Sequence, residues 1–333
     1  MKGVKVLLRD AERTKKKLLA EEVLNFEYIP FKDSKNMYFP VNKKVEGFEL
    51  VDVSFEKKEN ASSLKEAVKG FLTKKELDML KTSYDFIGSI AILEIDQELR
   101  HKEKVIGESL LKTNSQIKTV LRKDDKHEGV FRTQNMRFLA GEDTRETIHR
   151  ENGVRMVVDV ENVYFSPRLA TDRKRVSKQV KPKEEVLVLF SGCGPYCLVI
   201  EKKSLAERVV GVEINPKGHE YALKNNELNK TNIEYHNLDA KRYLNSSKER
   251  FDRILMPGPD RAEDFLALVK NVMKSKCKVH LYTFAKEEEF EDKKEFFKKT
   301  FEDYKVKNLK VVKCGQHAPY IYRVCVEGEV FIT

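Results

Sequence analysis

Short apolar runs alternate with amphipathic segments through the second half of the chain. The runs are VLVLF, RVVGVEI, NIEYHN, DRILM and KVHLYTF, at residues 186–190, 208–214, 232–237, 252–256 and 278–284. Near-continuous apolar strands separated by helices are typical of a mostly parallel sheet that is covered on both faces. The pattern predicts an open, doubly wound α/β domain over residues 162–333, whose ligand would lie beyond the carboxyl ends of the strands.

Two further regions precede this domain. Residues 1–54 have the pattern of a small α/β module, with predicted strands at 4–8, 37–40 and 48–53 and a lysine-rich helix at 10–22. Residues 55–161 predict a middle α+β domain, which begins with a linker-like stretch at 55–63 because Ser and Asn interrupt the periodicity there. Its predicted elements are a lysine-rich helix from 64, an alternating strand at 83–95, a helix at 103–111 and a strand at 116–121, followed by a basic polar stretch at 122–153.

Composition narrows the class of protein. The chain has 333 residues, 40% of them hydrophobic, which is enough to bury cores for roughly two domains of about 150 residues. Its apolar runs are far shorter than the roughly 18 residues of a membrane helix, and the first residues carry no apolar segment of a secretory signal. We therefore expect a soluble, cytoplasmic protein without a membrane partner.

Cysteine and histidine spacing indicates neither disulfides nor a metal. The five cysteines are odd in number, and their only close pair, Cys193 and Cys197, is separated by three residues. That spacing fits neither a disulfide framework nor a zinc site. Because His149, His236 and His317 show no paired spacing with Cys or carboxylates, we expect no metal ion.

The charge balance has two explanations. Lys and Arg number 64 against 54 Asp and Glu, a net charge of +10, and 35% of the residues are charged, compared with roughly 25% in typical soluble domains. Lys/Glu enrichment with few Gly and Pro is typical of the surface ion pairs of a thermophile. A positive surplus also favours a polyanionic partner, because phosphate binding releases counterions. Composition leaves both explanations open.

A glycine-rich loop follows the first strand of the predicted sheet. It contains Gly192 and Gly194 and leads into the apolar start of a helix. Glycines let a backbone approach a ligand, and a helix start presents unpaired N–H groups. The third glycine of a dinucleotide motif is replaced by Cys197, and Pro195 removes one N–H that an anion would use. The loop therefore fits a pyrophosphate poorly.

Acidic residues stand at the ends of the next two strands. Glu213 ends the second strand, 21 residues beyond Gly192, and Asp239 follows the third. A carboxylate in the first position can accept hydrogen bonds from both hydroxyls of a ribose, and one in the second suits an adenine amino group. A Gly-x-Gly loop alone is as often a plain turn, and Glu213 or Asp239 alone is more often a solvated loop acid. Together, in this order, they fit S-adenosylmethionine better than a dinucleotide.

Motifs spread over nearly the whole chain form a more specific set. They are SYDFIG at 83–88, Phe131-Arg132, LAGE at 139–142, TIHRENG at 147–153, VYFSPRL at 163–169, Asp172-Arg173, FSGCGP at 190–195, VEINP at 212–216 and HAPYIY at 317–322. With this set the sequence resembles the archaeal and eukaryal tRNA (guanine-37 N1)-methyltransferase family. The resemblance implies a class I, Rossmann-like S-adenosylmethionine-dependent catalytic domain, a middle domain, and a small mobile N-terminal domain that contacts the outer corner of tRNA.

The resemblance also implies roles for individual residues. Glu213 matches the ribose-binding acid, Asp239 the adenine-side acid and Arg173 a cofactor-contacting arginine. The full set expected to bind the cofactor is Arg173, Phe190, Gly192, Gly194, Pro195, Tyr196, Glu213, Ile214, Asp239, Ala240 and Met256. The residues expected to contact the substrate are Arg132, Phe165, Arg168 and Pro259.

Catalysis needs a base, because guanine N1 carries a proton at neutral pH, and a group that stabilises negative charge on O6. The resemblance places Asp172 as the base, where the family usually carries Glu, and Arg132 as the charge stabiliser. Asp172 could instead be an ion-pair partner of neighbouring arginines, and Arg132 a phosphate contact. Phe165 and Tyr164 could stack on a flipped base, or belong to the core of a strand end.

One departure from the family affects the acceptor. The usual Asn-Leu-Pro-Lys after the fourth strand is replaced by residues 257–260, PGPD, so Pro257 stands where an Asn would hold the guanine. This Pro-x-Pro resembles the archaeal wyosine-pathway branch, whose members methylate C7 of 4-demethylwyosine to give isowyosine, some of them also guanine N1. Because the wyosine ring is larger and its nucleophile is a carbon, loss of the Asn is compatible with that substrate.

The leading hypothesis is a tRNA methyltransferase that acts on base 37 as a monomer, contacts the anticodon loop and the outer corner, and uses S-adenosylmethionine without a metal. Guanine N1, wyosine C7 or both remain open as acceptors. A non-catalytic RNA-binding relative, a methyltransferase of another RNA and an NAD(P) oxidoreductase are the alternatives. The intact glycine loop with Glu213 and Asp239 argues against the first of these, and the missing third glycine against the last.

Overall fold

The computed structural model describes residues 1–21, 23–25, 27–57, 63–124, 131, 133–258 and 262–332. The chain divides into two compact units, one made of residues 1–124 and 136–144, the other of residues 125–135 and 145–333. None of the described helices is both long enough and apolar enough to span a bilayer.

The first unit contains two four-stranded sheets. One is antiparallel, in the order β2-β3-β1-β4, and is formed by β1 (Lys2–Leu7), β2 (Phe31–Lys32), β3 (Asn36–Pro40) and β4 (Glu49–Asp52), with helix α1 (Ala11–Ala20). The other has the order β5-β6-β7-β8. It is formed by β5 (Tyr84–Ile87), β6 (Ile90–Leu93), β7 (Thr119–Lys123) and β8 (Met136–Gly141), with helices α2 (Leu64–Val68), α3 (Lys74–Met79) and α4 (Glu103–Thr113).

The prediction of one alternating strand at 83–95 is wrong in one respect. The segment folds as the hairpin β5–β6, in which Tyr84 faces Leu93 and Ile87 faces Ile90. The chain reverses at Gly88, whose φ of +59° lies in the left-handed region that glycine adopts without strain. The linker-like stretch of the sequence analysis falls largely on residues 58–62, which lie outside the described residues.

The second unit is built on a seven-stranded sheet of order β13-β12-β11-β14-β15-β17-β16. Its strands are β11 (Glu185–Leu189), β12 (Arg208–Glu213), β13 (Glu234–Asn237), β14 (Phe251–Met256), β15 (Met273–Ala285), β16 (Lys305–Ala318) and β17 (Ile321–Phe331). Its helices are α5 (Ala170–Ser177), α6 (Pro195–Lys203), α7 (Pro216–Asn229), α8 (Ala240–Ser246) and α9 (Phe290–Thr300). The first five strands are parallel, which confirms the predicted Rossmann-like sheet.

The order of the strands indicates where in the sheet a ligand can bind. β11 and β12 are buried almost throughout, as their unbroken Val and Leu content predicts for central strands. The chain leaves β11 for β12 on one side and returns to β14 on the other, so the strand order reverses next to β11. A crevice forms at such a reversal, at the carboxyl ends of the strands.

The long hairpin β16–β17 was not predicted. β17 is antiparallel to both β15 and β16 and completes the sheet. β17 is largely buried, whereas β16 is half-buried or exposed along its length. The alternation of Lys with Val and Leu over residues 305–313 is the signal that could have indicated this edge strand.

A second hairpin, β9 (Glu146–Glu151) and β10 (Val154–Asp159), packs on α7. The amide of Asn225 donates to the Val157 carbonyl at 3.0 Å and accepts from its N–H at 2.6 Å, and Asn229 binds Arg155 in the same way. Residues 145–161, which the sequence pattern predicts as part of the middle domain, therefore belong to the second unit. The boundary predicted at residue 54, within the first unit, stays a prediction.

Candidate active site

A cavity of about 420 Å³ lies at the carboxyl ends of β11, β12 and β14. It is lined by the loops that follow these strands and by the segment before α5. The expected site residues that line it are Phe165, Arg173, Phe190, Gly192, Pro195, Tyr196, Glu213, Ile214, Asp239, Ala240 and Pro257. Residues far apart in the sequence are thus brought to one crevice, because the strands that carry them end at the same edge of the sheet.

The glycine loop has two glycines with different tasks. Gly192 lines the cavity with φ of +55°, and a Cβ built there would have no neighbour closer than 3.6 Å. Gly194 precedes α6 with φ of +86°, and a Cβ there would lie 2.2 Å from the Tyr235 hydroxyl oxygen. Gly192 therefore gives a ligand access to the backbone, whereas Gly194 is needed for close packing and lies outside the cavity lining.

Glu213 is anchored at the floor of the cavity by backbone groups. Its Oε2 accepts from the Gly192 N–H and its Oε1 from the Asn215 N–H, both at 2.7 Å. Burial raises the pKa of this carboxyl, and the hydrogen bonds from Asn215 and Gly192 oppose that rise. Each oxygen has a further lone pair. Glu213 is thus a positioned acceptor that fits the hydroxyl groups of a ribose.

Asp239 stands at the start of α8. Its Oδ1 accepts from the Arg242 N–H at 3.0 Å and caps the helix. Within the part of the chain that the structure describes, no hydrogen bond reaches Oδ2. Leu238, Ala240 and Ile214 supply apolar surface beside it. This corner suits a flat ring with an exocyclic amino group.

The hydroxyl group of Ser191 adds a further polar group to the cavity. Ser191 is 4% exposed and lines the cavity, and its Oγ has no hydrogen-bond partner among the described residues. Buried polar groups are normally satisfied, so an unsatisfied one that faces a cavity indicates a place for a polar ligand atom. With Glu213, Asp239 and the open approach at Gly192, the residues present fit S-adenosylmethionine.

Arg173 forms part of the cavity wall but is already paired. Its Nε and Nη2 donate to the two oxygens of Glu151, and Nη2 also donates to the Ser166 carbonyl at 3.0 Å. Its guanidinium carbon lies 5.3 Å from the centre of the Phe165 ring. Burial alone would raise the pKa of Glu151, but hydrogen bonds from His149 and Arg173 hold it below its usual value. The cofactor contact of Arg173 stays a prediction, and the observed geometry makes it a support for Phe165.

Asp172, the expected base, does not line the cavity. It is 4% exposed, and its Oδ2 accepts from the hydroxyls of Tyr196 at 2.7 Å and Tyr282 at 2.6 Å. Its Oδ1 accepts from Arg175 Nε at 2.7 Å and from the Cys314 thiol at 3.2 Å. Burial would raise the pKa of Asp172, but the Arg175 charge and the tyrosine hydroxyls hold it below its usual value. A direct contact between Asp172 and a substrate base conflicts with this geometry, because the Tyr196 side chain lies between them.

The pairing of Asp172 extends into a buried network. Arg175 Nη1 donates to Glu327 Oε2 at 2.7 Å, and His280 Nδ1 lies 3.0 Å from the same oxygen. His280 Nε2 faces Arg253 Nη1 at 2.7 Å. Because arginine can only donate, Nε2 is the acceptor and Nδ1 carries the proton toward Glu327. Burial lowers the pKa of His280 to about 4, so the ring is neutral at pH 7.

Part of this network, His280 with Cys325 and Glu327, has the residue types of a metal site but is already paired with arginines. His280, Cys325 and Glu327 bring potential ligand atoms within 4.8 Å of one another. Two arginines contact this cluster, however, and Arg175 and Arg253 occupy the lone pairs that a cation would need. The cluster is therefore an internal ion-pair network that ends at Asp172.

Besides Asp172, three expected site residues lie outside the cavity lining. Met256, the last residue of β14, is fully buried in the core, and Gly194 packs on Tyr235. Arg168 is exposed on the short 3-10 helix Pro167–Leu169, whose buried side is Leu169. The cofactor contacts expected for Met256 and Gly194 and the substrate contact expected for Arg168 stay predictions. Arg132 and Pro259 lie outside the described residues.

The cavity also has members that sequence reasoning did not assign to the site. They are Phe131, Val163, Ser166, Leu169, Ser191, Val212, Asn215, Leu238, Gly258 and Phe265. Phe131 is 44% exposed, and Phe265 packs edge-on against Phe190 with ring centres 5.1 Å apart. The motif residues Phe131 and Asn215 were within reach of the sequence, whereas Phe265 follows a loop whose path no pattern predicts.

Family models match three consecutive parts of the chain. A tRNA methyltransferase 5 N-terminal domain matches residues 3–49, a TYW2 N-terminal domain matches 64–144, and a TRM5/TYW2 methyltransferase domain matches 147–311. The last of these contains nearly all of the cavity lining described above.

Two relatives with similar sequences carry names that state different activities. The tRNA (guanine(37)-N(1))-methyltransferase Trm5b of Pyrococcus abyssi is 36% identical over 289 residues, which cover 86% of this chain and 84% of the relative. The tRNA (guanine(37)-N(1))/4-demethylwyosine(37)-methyltransferase Taw22 of Nanoarchaeum equitans is 30% identical over 263 residues, which cover 63% of this chain and 86% of the relative.

Solved structures of similar proteins superimpose on most or nearly all of the chain. Trm5b from Pyrococcus abyssi superimposes with a TM-score of 0.74 at 33% identity, over 99% of both chains. A complex of aTrm5 with tRNALeu gives a TM-score of 0.72 at 27% identity, over 98% of this chain and 99% of the other. TYW2 of P. horikoshii, in complex with MeSAdo, gives 0.67 at 27% identity, over 81% and 98%.

Proposed function

Because the chain belongs to the TRM5/TYW2 family of S-adenosylmethionine-dependent methyltransferases, we propose that it methylates the base at position 37 of tRNA, with guanine N1 as the acceptor. The observation that carries the proposal is the composition of one cavity. Glu213 and Asp239 stand at its cofactor side, and Phe131, Phe165 and Pro257 form a largely apolar remainder. Similarity to Trm5b of Pyrococcus abyssi and to a tRNA-bound structure supports the choice of substrate.

The cofactor side works by positioning. S-adenosylmethionine supplies a methyl group on a positively charged sulfur, which a nucleophile can attack. Glu213 accepts hydroxyl hydrogen bonds, and because Gly192 and Asn215 hold its two oxygens, it cannot turn away. Holding a reactant in one geometry can supply several kcal/mol of the barrier reduction in such a transfer. Phe190 and Phe265 exclude water from the neighbouring wall.

The acceptor side must bind a base that has left the anticodon-loop stack. Phe165 is held by Arg173 at 5.3 Å and meets His149 edge-on with ring centres 5.0 Å apart, so its ring has a fixed orientation at the cavity wall. We propose that Phe165 and Tyr164 stack on the flipped base. Arg132 is proposed to stabilise the negative charge on O6.

Methylation of guanine N1 requires removal of the proton on that nitrogen, and Asp172 is the residue considered for this step. Asp172 is ionised and lies one hydrogen bond behind Tyr196 in the cavity wall. It reaches guanine N1–H only if RNA binding draws its carboxylate away from Tyr196 and Tyr282. In the described arrangement it acts as a positioning anion that fixes both tyrosine rings, which meet edge-on at 5.7 Å.

A second acceptor is favoured by the residues after β14. Pro257 lines the cavity and has neither a side-chain amide nor a backbone N–H to offer a purine edge. The middle region matches a TYW2 domain, and the relative Taw22 is named for both guanine-37 and 4-demethylwyosine-37. C7 of 4-demethylwyosine is therefore the alternative acceptor in the same cavity.

We propose that one chain binds one tRNA. The second unit would bind the anticodon loop, and residues 1–54 would contact the outer corner of the tRNA. The match of residues 3–49 to an N-terminal domain of tRNA methyltransferase 5 and the net charge of +10 support this division.

The position of methylation tests the proposal. Two tRNA transcripts that differ only in guanine or adenine at position 37 are incubated with the protein and radiolabelled S-adenosylmethionine. We expect incorporation into the guanine-37 transcript and background counts with adenine-37. Equal incorporation into both would mean that another nucleotide is the acceptor.

A further inference from the structure

We propose that Arg323 is a positioning residue for methyl transfer, because it holds the Tyr164 side chain in the cavity wall against which the acceptor base would stack. Tyr164 lines the cavity, whereas Arg323 lies outside the lining. The inference rests on the proposed function, since it takes the group that stacks on Tyr164 to be the base at position 37 of tRNA.

A short hydrogen bond joins the two side chains. Arg323 Nη2 donates to the Tyr164 hydroxyl oxygen at 2.5 Å. Hydrogen bonds from a charged donor are shorter and stronger than those between neutral groups. The Arg323 guanidinium carbon lies 5.8 Å from the centre of the Tyr164 ring. The contact therefore fixes the hydroxyl end of the tyrosine and restricts how the side chain can swing in the cavity wall.

Tyr164 gains a support from outside its own segment through this bond. It lies in a loop between β10 and the 3-10 helix Pro167–Leu169. Side chains on loops are positioned less precisely than those on strands and helices. Arg323 is the third residue of β17, and it lies opposite Phe284 of β15 in the ladder. The hydrogen bond thus ties a loop residue of the cavity wall to the sheet.

The charge of Arg323 lacks the partner that a buried arginine usually has. The residue is 8% exposed, and among the described residues it forms no ion pair and no other hydrogen bond. Its Nε is buried without a partner, and its guanidinium carbon lies 5.5 Å from the centre of the Phe284 ring. Burial of a charge is unfavourable unless the charge is paired. Arg173, by comparison, binds both oxygens of Glu151.

The same face of β17 supports a second tyrosine of the cavity wall. Side chains two and four residues apart point to one face of a strand, so Glu327 lies on the same face as Arg323. Glu327 belongs to the ion-pair network that reaches Asp172, and Asp172 accepts from the Tyr196 hydroxyl at 2.7 Å. One strand therefore supports Tyr196 through a network and Tyr164 through Arg323 alone.

The test is a double-mutant cycle on the rate of methyl transfer. Arg323→Met removes the charged donor but keeps an unbranched side chain, Tyr164→Phe removes the hydroxyl acceptor, and the double variant lacks both. Single-turnover rates of the full chain are measured at saturating S-adenosylmethionine and saturating tRNA, with guanine-37 or 4-demethylwyosine-37, whichever the wild type methylates. Lys305→Met is the control, since it removes an exposed positive charge from the far end of the same hairpin.

We expect each single variant to transfer methyl about tenfold more slowly, the effect of losing one hydrogen bond to a charged group. The double variant should be no slower than either single variant, because the two groups act as one unit. Affinities for tRNA and for S-adenosylmethionine should stay close to those of the wild type, and Lys305→Met should transfer methyl at the wild-type rate. Thermal unfolding confirms that each variant is folded.

Three results would overturn the role of Arg323. They are a wild-type rate in Arg323→Met, losses of rate that multiply in the double variant, and coupling of the two residues in melting temperature without coupling in rate. A weaker tRNA affinity of Arg323→Met with a reduced salt dependence would also overturn it, since Arg323 would then be a phosphate contact.

Activity of the wild type separates this inference from the proposed function. If the wild type methylates base 37 while the cycle shows no coupling in rate, the proposed function survives and the role of Arg323 is wrong. If the wild type methylates neither tRNA, both are wrong.

Discussion

Glu213 and Asp172 are both buried carboxylates of the second unit, but different groups surround them. Glu213 is held by backbone N–H groups, and burial raises its pKa, so it is suited to neutral hydroxyl partners. Asp172 is held by an arginine and two tyrosine hydroxyls, which keep its pKa low despite burial. The first carboxylate is open to a ligand, and the second is committed to the protein.

Removal of the Glu213 side chain tests the cofactor cradle. We expect Glu213→Ala to weaken S-adenosylmethionine binding at least tenfold, because hydrogen bonds to a charged acceptor contribute about 1.5–3 kcal/mol each. Isothermal titration calorimetry measures the affinity. Glu220→Ala, an exposed change on α7, is the control and should bind as wild type. Unchanged affinity in Glu213→Ala would mean that the cavity is misassigned.

Replacement of Asp172 separates chemistry from RNA binding. We expect Asp172→Asn to lower the rate of guanine-37 methylation at least 100-fold, in the range of general-base and positioning effects, with tRNA affinity changed by less than about threefold. Single-turnover rates and filter binding give the two quantities. Tyr282→Phe, which removes one hydroxyl from Asp172 but keeps the carboxylate, should have a smaller effect. Loss of rate and binding in equal measure would remove Asp172 from the chemistry.

A site residue could be predicted from the sequence when the signal for it lay close to it along the chain. Glu213 and Asp239 were predictable because each follows a recognisable strand. The confinement of Asp172 was not, since Tyr282 and Cys314 lie 110 and 142 residues away in sequence. Only the fold brings such partners together.

At the scale of elements, β17 ties the network beneath the site to the edge of the sheet. Glu327 on β17 is fully buried and accepts from Arg175 of α5 and from His280 of β15. Burial alone would raise the pKa of Glu327, but the hydrogen bond from the neutral His280 ring and the hydrogen bond and charge of Arg175 hold it well below its usual value. The folded state therefore keeps Glu327 ionised under acid conditions in which the unfolded chain would take up a proton.

The pH dependence of stability follows from that difference. Stability from ionised Glu327 is fully present above the ordinary glutamate pKa of about 4.3 and is lost as pH falls below it. We expect Glu327→Gln to lower the melting temperature at pH 7 by about 10 °C, since breaking a buried ion pair costs about 3–5 kcal/mol. The fall in melting temperature between pH 6 and pH 3 should be smaller in the variant than in wild type.

Glu329→Gln is the matched control for this change. Glu329 lies on the same strand and pairs with Lys276 at 3.4 Å, where both side chains reach solvent. Exposed pairs contribute about 0–1 kcal/mol, so the melting temperature should stay within a few degrees. An acid dependence of Glu327→Gln identical to that of wild type would contradict the account of the network.

Elements were predictable where their pattern was local. The five parallel strands were found within a few residues, because continuous apolar runs bounded by loops leave few alternatives. The single strand predicted at 83–95 is two strands, and the β16–β17 hairpin was missed because its exposed strand carries lysines that resemble a solvated surface. Pairing partners, which decide such cases, are not encoded in one segment.

At the scale of the whole molecule, two features of the protein can explain the net charge of +10. Many lysines are engaged in surface ion pairs, such as Lys2 with Asp52 and Lys217 with Glu220, as a thermophile surface would also show. The family assignment adds a polyanion to that picture. Several phosphate contacts spread over distant surfaces would use the surplus without one dense basic patch.

Salt dependence distinguishes the two explanations of the charge. Because several phosphates would be neutralised, tRNA affinity should fall linearly with the logarithm of salt concentration, about 10³-fold or more between 50 and 200 mM if six or more contacts form. Fluorescence anisotropy of a labelled tRNA measures the slope. A tRNA affinity that does not change with salt concentration would leave the ion pairs of a thermophile surface as the only explanation of the charge.

The central claim is that the cavity of the second unit methylates base 37 of tRNA. The most direct test is nucleoside analysis by mass spectrometry after incubation with isotopically labelled S-adenosylmethionine and two tRNAs, one with unmodified guanine-37 and one with 4-demethylwyosine-37. The account predicts labelled 1-methylguanosine from the first tRNA, and labelled isowyosine from the second if Pro257 admits the larger ring. Label in neither nucleoside, or at another position of the tRNA, would contradict it.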